Sequence, residues 1–153
     1  LKVRQALPEE FQEIYKQGFK EWAKGRQLDS YIKDNQKEEE NGIRYILVND
    51  QEQIIASLMM IQFRPTLYGI GSIVVNPVFR NQGFGKKLVR ECLEKHPEAA
   101  FILYSEIEPG YYEKMGFRVI SNELQQSSKA ICMIRAEDDL FEQVLQEPIP
   151  GYF

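Results

Sequence analysis

The sequence predicts an α+β sandwich, one mixed and largely antiparallel sheet with helices covering its faces. Three observations carry that prediction. The periodic segments run strand, two helices, three strands, helix, strand, short helix, two strands. The stretch Met59-Met60-Ile61 is apolar on both sides of its strand, as a strand inside a sheet must be. A glycine turn, Arg80-Asn81-Gln82-Gly83-Phe84-Gly85-Lys86-Lys87, joins the apolar strand Ile73-Val74-Val75 to an amphipathic helix.

Residues 2–6 alternate and suit an edge strand. Pro8 with Glu9 and Glu10 opens a helix, along which Phe11, Ile14, Tyr15, Phe19 and Trp22 recur at helical spacing. Such a stripe is core packing first and an acceptor-pocket wall second. Gly25 stops this helix, and Asp29 and Ser30 are placed to cap the next. Glu38-Glu39-Glu40 reads as a solvated helix face. Residues 44–48 and 54–63 are strands around the turn Asn49-Asp50-Gln51-Glu52. Residues 67–75 form the next strand, where Gly69 and Gly71 suggest a bulge or a close approach. Past the glycine turn, Leu88, Val89, Cys92 and Leu93 line a helix face that ends at His96-Pro97. A strand over 101–107, a short helix over 111–115 stopped by Gly116, and a hairpin of 117–120 with 129–135 follow. Asp138 and Asp139 precede a last helix over 140–146, and 148–153 is an apolar, Pro-rich tail.

The 153 residues point to one domain with its own core. A net charge of −4 argues against nucleic acid as the main partner. No apolar run reaches bilayer length and no secretory leader is visible. Cys92 and Cys132 make no disulfide framework and read as reduced thiols of a cytosolic protein. Cys92 and His96 stand at helical i, i+4 spacing. Without a third group to orient them, they read as a buried cysteine and a helix-end histidine rather than as nucleophile and base.

Three phosphate motifs compete for the glycine turn. The P-loop fails twice, because Arg80 stands at its first glycine and Lys87 at its Ser/Thr. The dinucleotide fingerprint fails at Leu88, where its third glycine belongs. The pattern Gln/Arg-x-x-Gly-x-Gly/Ala is met in full by Arg80, Gly83 and Gly85. Lys86 and Lys87 fall in the first helical turn, where a positive charge is disfavoured by about 0.3–1 kcal/mol. A bound pyrophosphate or 3′-phosphate turns that conflict into attraction.

With Ile73-Val74-Val75-Asn76-Pro77, the glycine turn and Tyr111-Tyr112-Glu113-Lys114-Met115-Gly116-Phe117 in place, the chain resembles the GNAT superfamily of acyl-CoA-dependent N-acetyltransferases. The likeness extends over about 3–135 of a single domain spanning 1–153, with the helix and tail of about 138–153 outside it. It implies a three-layer α/β/α fold whose mixed, mostly antiparallel twisted sheet splays between the fourth and fifth strands. It implies acetyl-CoA as cosubstrate and no metal.

Residue by residue, the resemblance implies that backbone N–H groups of Gln82, Gly83, Phe84, Gly85 and Lys86 hold the pyrophosphate, with Arg80 and Lys86 as charged neighbours. Val74 and Val75 supply backbone contacts to the pantetheine arm, and the Val75 N–H serves the oxyanion. Ser105 stands where the family often has a CoA-contacting Asn. Tyr112 matches the acid that protonates the leaving thiolate, with Tyr111 as its rival. The position of the glutamate base used by some members falls near Gly69, which cannot serve. Glu106 is then the candidate base, with Glu108 as an alternative, either directly or through a water that Ser72 could orient. Trp22, Tyr31 and the loop 121–128 are candidates to shape the acceptor pocket.

The function so implied is transfer of the acetyl group of acetyl-CoA to a primary amine of a small molecule or protein, by direct attack in a ternary complex. No nucleic acid or membrane partner is expected, and a homodimer is left open. The absence of an obvious base and the apolar tail motivate the alternative, an acyl-CoA-binding sensor or regulatory module of the same fold. A structural subunit without a CoA site is the third reading.

Overall fold

The computed structural model describes the whole chain, Leu1–Phe153. Its elements are β1 (Lys2–Gln5), α1 (Phe11–Trp22), α2 (Leu28–Glu39), β2 (Gly42–Val48), β3 (Ile54–Arg64), β4 (Leu67–Val75), α3 (Phe84–Glu94), β5 (Ala100–Ser105), α4 (Gly110–Glu113), β6 (Arg118–Val119), β7 (Ile131–Arg135) and α5 (Asp138–Leu145). The strands form one seven-stranded sheet in the order β1-β2-β3-β4-β5-β7-β6. β1 with β2, β2 with β3, β5 with β7 and β6 with β7 pair antiparallel. β4 and β5 pair parallel through Leu67↔Ala100, Tyr68↔Phe101 and Gly69↔Ile102. This is the mixed, mostly antiparallel α+β architecture that the element order predicts.

The residues group into two compact units, Leu1–Ile61 with Ser72–Lys95, and Gln62–Gly71 with His96–Phe153. In the first, side chains alternate along β2 as a strand requires. Ile46 and Val48 pack with Ile14 of α1 and Ile54 of β3. Arg44, on the same face, reaches Glu39 of α2 at 2.6 Å and Asn35 at 3.1 Å. Tyr45 faces the other way, with the Lys95 ammonium 4.9 Å from its ring centroid at the end of α3. Helices therefore lie on both faces of β2. β3 is buried from Ile54 through Met60, and each such apolar side chain contributes about 1.5–3 kcal/mol.

The entry to α1 is fixed by Glu10. Its carboxylate takes two hydrogen bonds from Arg4, both at 2.8 Å, and one from the Leu7 N–H at 2.8 Å. The Arg4 hydrogen bond is the main cause that holds the Glu10 carboxyl below its ordinary range. Replacing Glu10 with Gln is expected to cost about 1–2 kcal/mol at neutral pH, the worth of a charged hydrogen-bonded pair. A depressed folded pKa stabilises above the unfolded value and that contribution is lost as pH falls through the folded one. Urea melts of wild type and variant should therefore differ at pH 7 and converge at acid pH.

The second unit has its core on one face of β5 and β7. Leu67, Ala100, Ile102, Ile120, Cys132, Ile134, Val144 and Ile149 form one buried cluster, which places α5 and the tail on that face. On the opposite side of the alternation lie Phe101, Leu103, Met133 and Ser105, all buried.

Several boundaries differ from the expectation. Asp29 and Ser30 do not cap α2: extended Gln27 is the N-cap, and Asp29 sits in the first turn, where a negative charge suits the dipole. Glu137 likewise precedes α5, with Asp138 and Asp139 inside it. β5 stops at Ser105 and leaves Glu106 and Ile107 in a loop. The last hairpin shrinks to Arg118–Val119 against β7. The irregularity in β4 falls on Ser72, at φ +50, rather than on the glycines. Gly69 marks a close approach instead: a Cβ there would lie 2.6 Å from the Phe153 ring.

Candidate active site

The glycine turn is built from its flanks inward. At the end of β4 the Asn76 N–H donates to Ile55 O at 2.8 Å, and the Asn76 side chain accepts from the Val78 N–H at 3.1 Å. That Asx arrangement starts the short turn Pro77–Phe79. Arg80 then folds back, its Nε donating to Val75 O at 3.3 Å and its guanidinium pairing with Glu21 of α1. Asn81 at φ +64 and Gly83 at φ +80 both take left-handed backbone. Gly83 is the N-cap of α3, and no side chain caps the helix. The Lys87 N–H closes the first helical bond, to Gly83 O at 3.0 Å. The amides of Phe84 and Gly85 precede that first bond and have no partner four residues back within the helix. Nothing lies within 4 Å of where a Gly83 Cβ would stand.

The expected crowding of three cations is partly relieved. Arg80 is paired with Glu21, and Lys87 with Glu91 one turn on at 3.0 Å. Lys87 and Glu91 are four residues apart, so they meet on one helix face. Val74 is buried and Val75 half-buried, and Trp22 of α1 donates its indole N–H to Ile73 O at 3.2 Å. Trp22 thus braces β4. Tyr31 is buried in α2, edge-on to Phe19 at 5.6 Å and under the Arg26 guanidinium at 4.9 Å.

In the second unit, the Tyr-Glu-Lys-Met-Gly-Phe run has a local physical logic. α4 ends at Glu113, and the turn after it closes on Gly116 at φ +94, a left-handed position that lets the Phe117 N–H reach back to Tyr112 O at 3.2 Å. Phe117 turns into the core, and Arg135 ties the corner by donating to Met115 O at 3.1 Å. Tyr112 is only 8% exposed. Its ring meets Tyr111 at 5.0 Å and Phe117 at 6.0 Å, both edge-on. Burial pushes both phenols up, Tyr112 strongly.

Ser105 sits buried at the end of β5. Its hydroxyl donates to Ile107 O at 2.8 Å and accepts from the Ile107 N–H at 3.3 Å. That loop presents Glu106, whose carboxylate accepts a hydrogen bond from the Tyr152 hydroxyl. Glu106 stands on the rim of a groove of about 480 Å³ that Ile107, Val119, Asn122, Lys129 and Ile131 also line. The loop 121–128 therefore shares a groove with Glu106. Tyr152 was missed by sequence reasoning, since nothing local distinguishes it from other tail residues.

The two thiols are buried completely. Burial pushes Cys92 up to about 12 and Cys132 up to about 11. His96 is occupied in stacking on Tyr68, with ring centroids 4.1 Å apart. No group of three or more His, Cys, Asp or Glu is arranged to hold a metal ion, and no helix is long and apolar enough to cross a membrane.

The sequence model of the acetyltransferase (GNAT) family matches residues 5–117. The chain belongs to the GNAT acetyltransferase family. None of the curated proteins matches the sequence significantly. Among solved structures, an aminoglycoside 6′-N-acetyltransferase complexed with coenzyme A is similar at TM-score 0.70 and 15% identity, over 88% of this chain and 96% of its own. A spermidine N-acetyltransferase chimera from Vibrio cholerae and hSSAT is similar at TM-score 0.68 and 15% identity, over 93% and 99%. A GNAT acetyltransferase from Brucella melitensis in complex with acetyl-CoA is similar at TM-score 0.64 and 20% identity, over 99% and 92%. At these identities the likeness establishes the GNAT fold.

Proposed function

We propose that this GNAT protein is an acetyl-CoA-dependent N-acetyltransferase acting on a primary amine of a small molecule or protein, by direct attack in a ternary complex. The observation that carries the reading is the uncapped start of α3 behind left-handed Gly83. It offers converging amides and open space to an anionic group, as the pyrophosphate of CoA requires. Acetyl-CoA, when bound, supplies the activated acetyl thioester. The amides of Gln82 through Lys86, with Arg80 and Lys86, hold its phosphates. The backbone of Val74 and Val75 orients its arm, and the Val75 N–H stabilises the oxyanion. Buried Tyr112 stays protonated through the neutral range and gives its proton to the departing thiolate. Glu106 takes a proton from the substrate ammonium, and the neutral amine so formed attacks the thioester carbonyl. Ser105 serves by shaping the loop that carries Glu106, since its hydroxyl is engaged with Ile107.

Direct attack is favoured over a double displacement through an acetyl-cysteine, because neither buried thiol is ionised or accessible near neutral pH. The chain works as a single domain in this account. It needs no metal, and its two reduced thiols suit the cytoplasm.

The test is incubation with acetyl-CoA and a panel of polyamines, aminoglycosides, amino acids and peptide amines, following thiol release. The expected result is amine-dependent release with at least one class, falling about 10²-fold or more in Glu106→Gln. Coenzyme A binding without release for any amine would favour the sensor reading and contradict this one.

A further inference from the structure

The last segment, 148–153, is held in a way that its composition does not explain. Three successive carbonyls each receive a side-chain donor. Arg64 of β3 donates to Pro148 O, Gln126 to Ile149 O at 3.4 Å, and Tyr104 of β5 to Pro150 O at 2.6 Å. Ile149 is buried in the core beside Leu67, Ala100 and Ile102. Phe153 packs on Phe63 at 5.0 Å and on Tyr104 at 5.8 Å. Pro148 and Pro150 have no N–H and a fixed φ, so little freedom remains between these anchors.

Tyr152 is the exception within this segment. It is 43% exposed, so core burial does not account for it. Its ring leans edge-on against Tyr104 at 5.7 Å and its hydroxyl is directed to Glu106 Oε2. Tyr104 therefore fixes both the backbone before Tyr152 and the ring itself. Glu106 lies beyond the end of β5 on a loop, and the bond from Tyr152 narrows the rotamers that its carboxylate can sample.

We propose that the segment 148–153 belongs to the catalytic apparatus, with Tyr152 as a positioning residue that holds the Glu106 carboxylate in one orientation at the rim of its groove. This rests on the reading of Glu106 as the base. The phenol donates one hydrogen bond to the carboxylate, a group with about four acceptor sites on its two oxygens. A base held in place avoids the loss that follows when a reacting group is misplaced by an ångström.

The experiment is a double-mutant cycle on kcat/KM for the best amine, with Tyr152→Phe, Glu106→Gln and the double variant, each also followed by thermal melting and by KM for acetyl-CoA. The expected result is a fall of about tenfold in Tyr152→Phe, at unchanged melting temperature and acetyl-CoA KM, and no further fall when Glu106 is already Gln. An equal fall in both backgrounds, or none in either, overturns the proposal. If Glu106→Gln acetylates normally, the base assignment and this inference fall while the acetyltransferase reading stands. If the wild type acetylates no amine of the panel, the function itself falls and takes this inference with it.

Discussion

Tyr112→Phe is expected to lower kcat by about 10²–10⁴-fold, the usual worth of a general acid, with KM for acetyl-CoA nearly unchanged. The substitution keeps both edge-on ring contacts, to Tyr111 and to Phe117, and removes only the hydroxyl. Stability should therefore move little, and a pure packing role predicts no kinetic effect. The pH dependence carries a second signature. Burial raises the Tyr112 phenol, so it remains an acid at and beyond its ordinary value of about 10. The alkaline limb of the rate should not be set by Tyr112 below that pH. Tyr111→Phe is the control: its phenol is less buried and its loss should leave kcat within a few-fold. A steady-state series of both variants from neutral to alkaline pH decides between them.

Gly83→Val is expected to weaken CoA binding by at least tenfold. Gly83 holds φ +80 at the N-cap of α3, and left-handed backbone costs an L-residue about 1–2 kcal/mol, more for a β-branched one. The space around its Cβ position is open, so no clash within the protein is needed to explain a loss. The effect comes from backbone rearrangement and from a side chain standing where an anion must meet bare amides. Each 1.4 kcal/mol is a factor of ten in affinity. Calorimetric titration with CoA should show the loss, and a melt in its absence should show only a modest drop. Unchanged affinity would remove the phosphate role from the turn.

The contrast between legible and hidden parts follows the range of the interactions. The glycine turn and the Tyr112 to Phe117 corner were readable because their geometry is local. Left-handed glycines, a helix start and a helix stop are written in neighbouring residues, and the structure has Gly83 and Gly116 in those conformations. The sheet was readable from periodicity, because β3 is buried on both sides from Ile54 through Met60. Helix caps were misplaced by one or two residues, since Asp29 and Asp138 suit the first turn as well as the cap. The pairing of Arg80 with Glu21 was not readable, because it joins residues far apart in sequence. The same holds for the tail. Gly69 suggested a bulge or a close approach, and only the fold shows that its missing Cβ makes room for the rings of Phe63 and Phe153. Tyr152 meets Glu106 across 46 residues of chain, and no spacing rule connects them.

The reaction proposed is direct transfer of an acetyl group from acetyl-CoA to an amine. Its most direct test is an initial-velocity study in which acetyl-CoA and the best amine of the panel are varied together, with the product identified by mass spectrometry. Intersecting double-reciprocal lines and an N-acetylated amine are the predicted result. Parallel lines with an acetyl group retained on the protein would contradict the account, because they would require a covalent intermediate that buried Cys92 and Cys132 cannot provide.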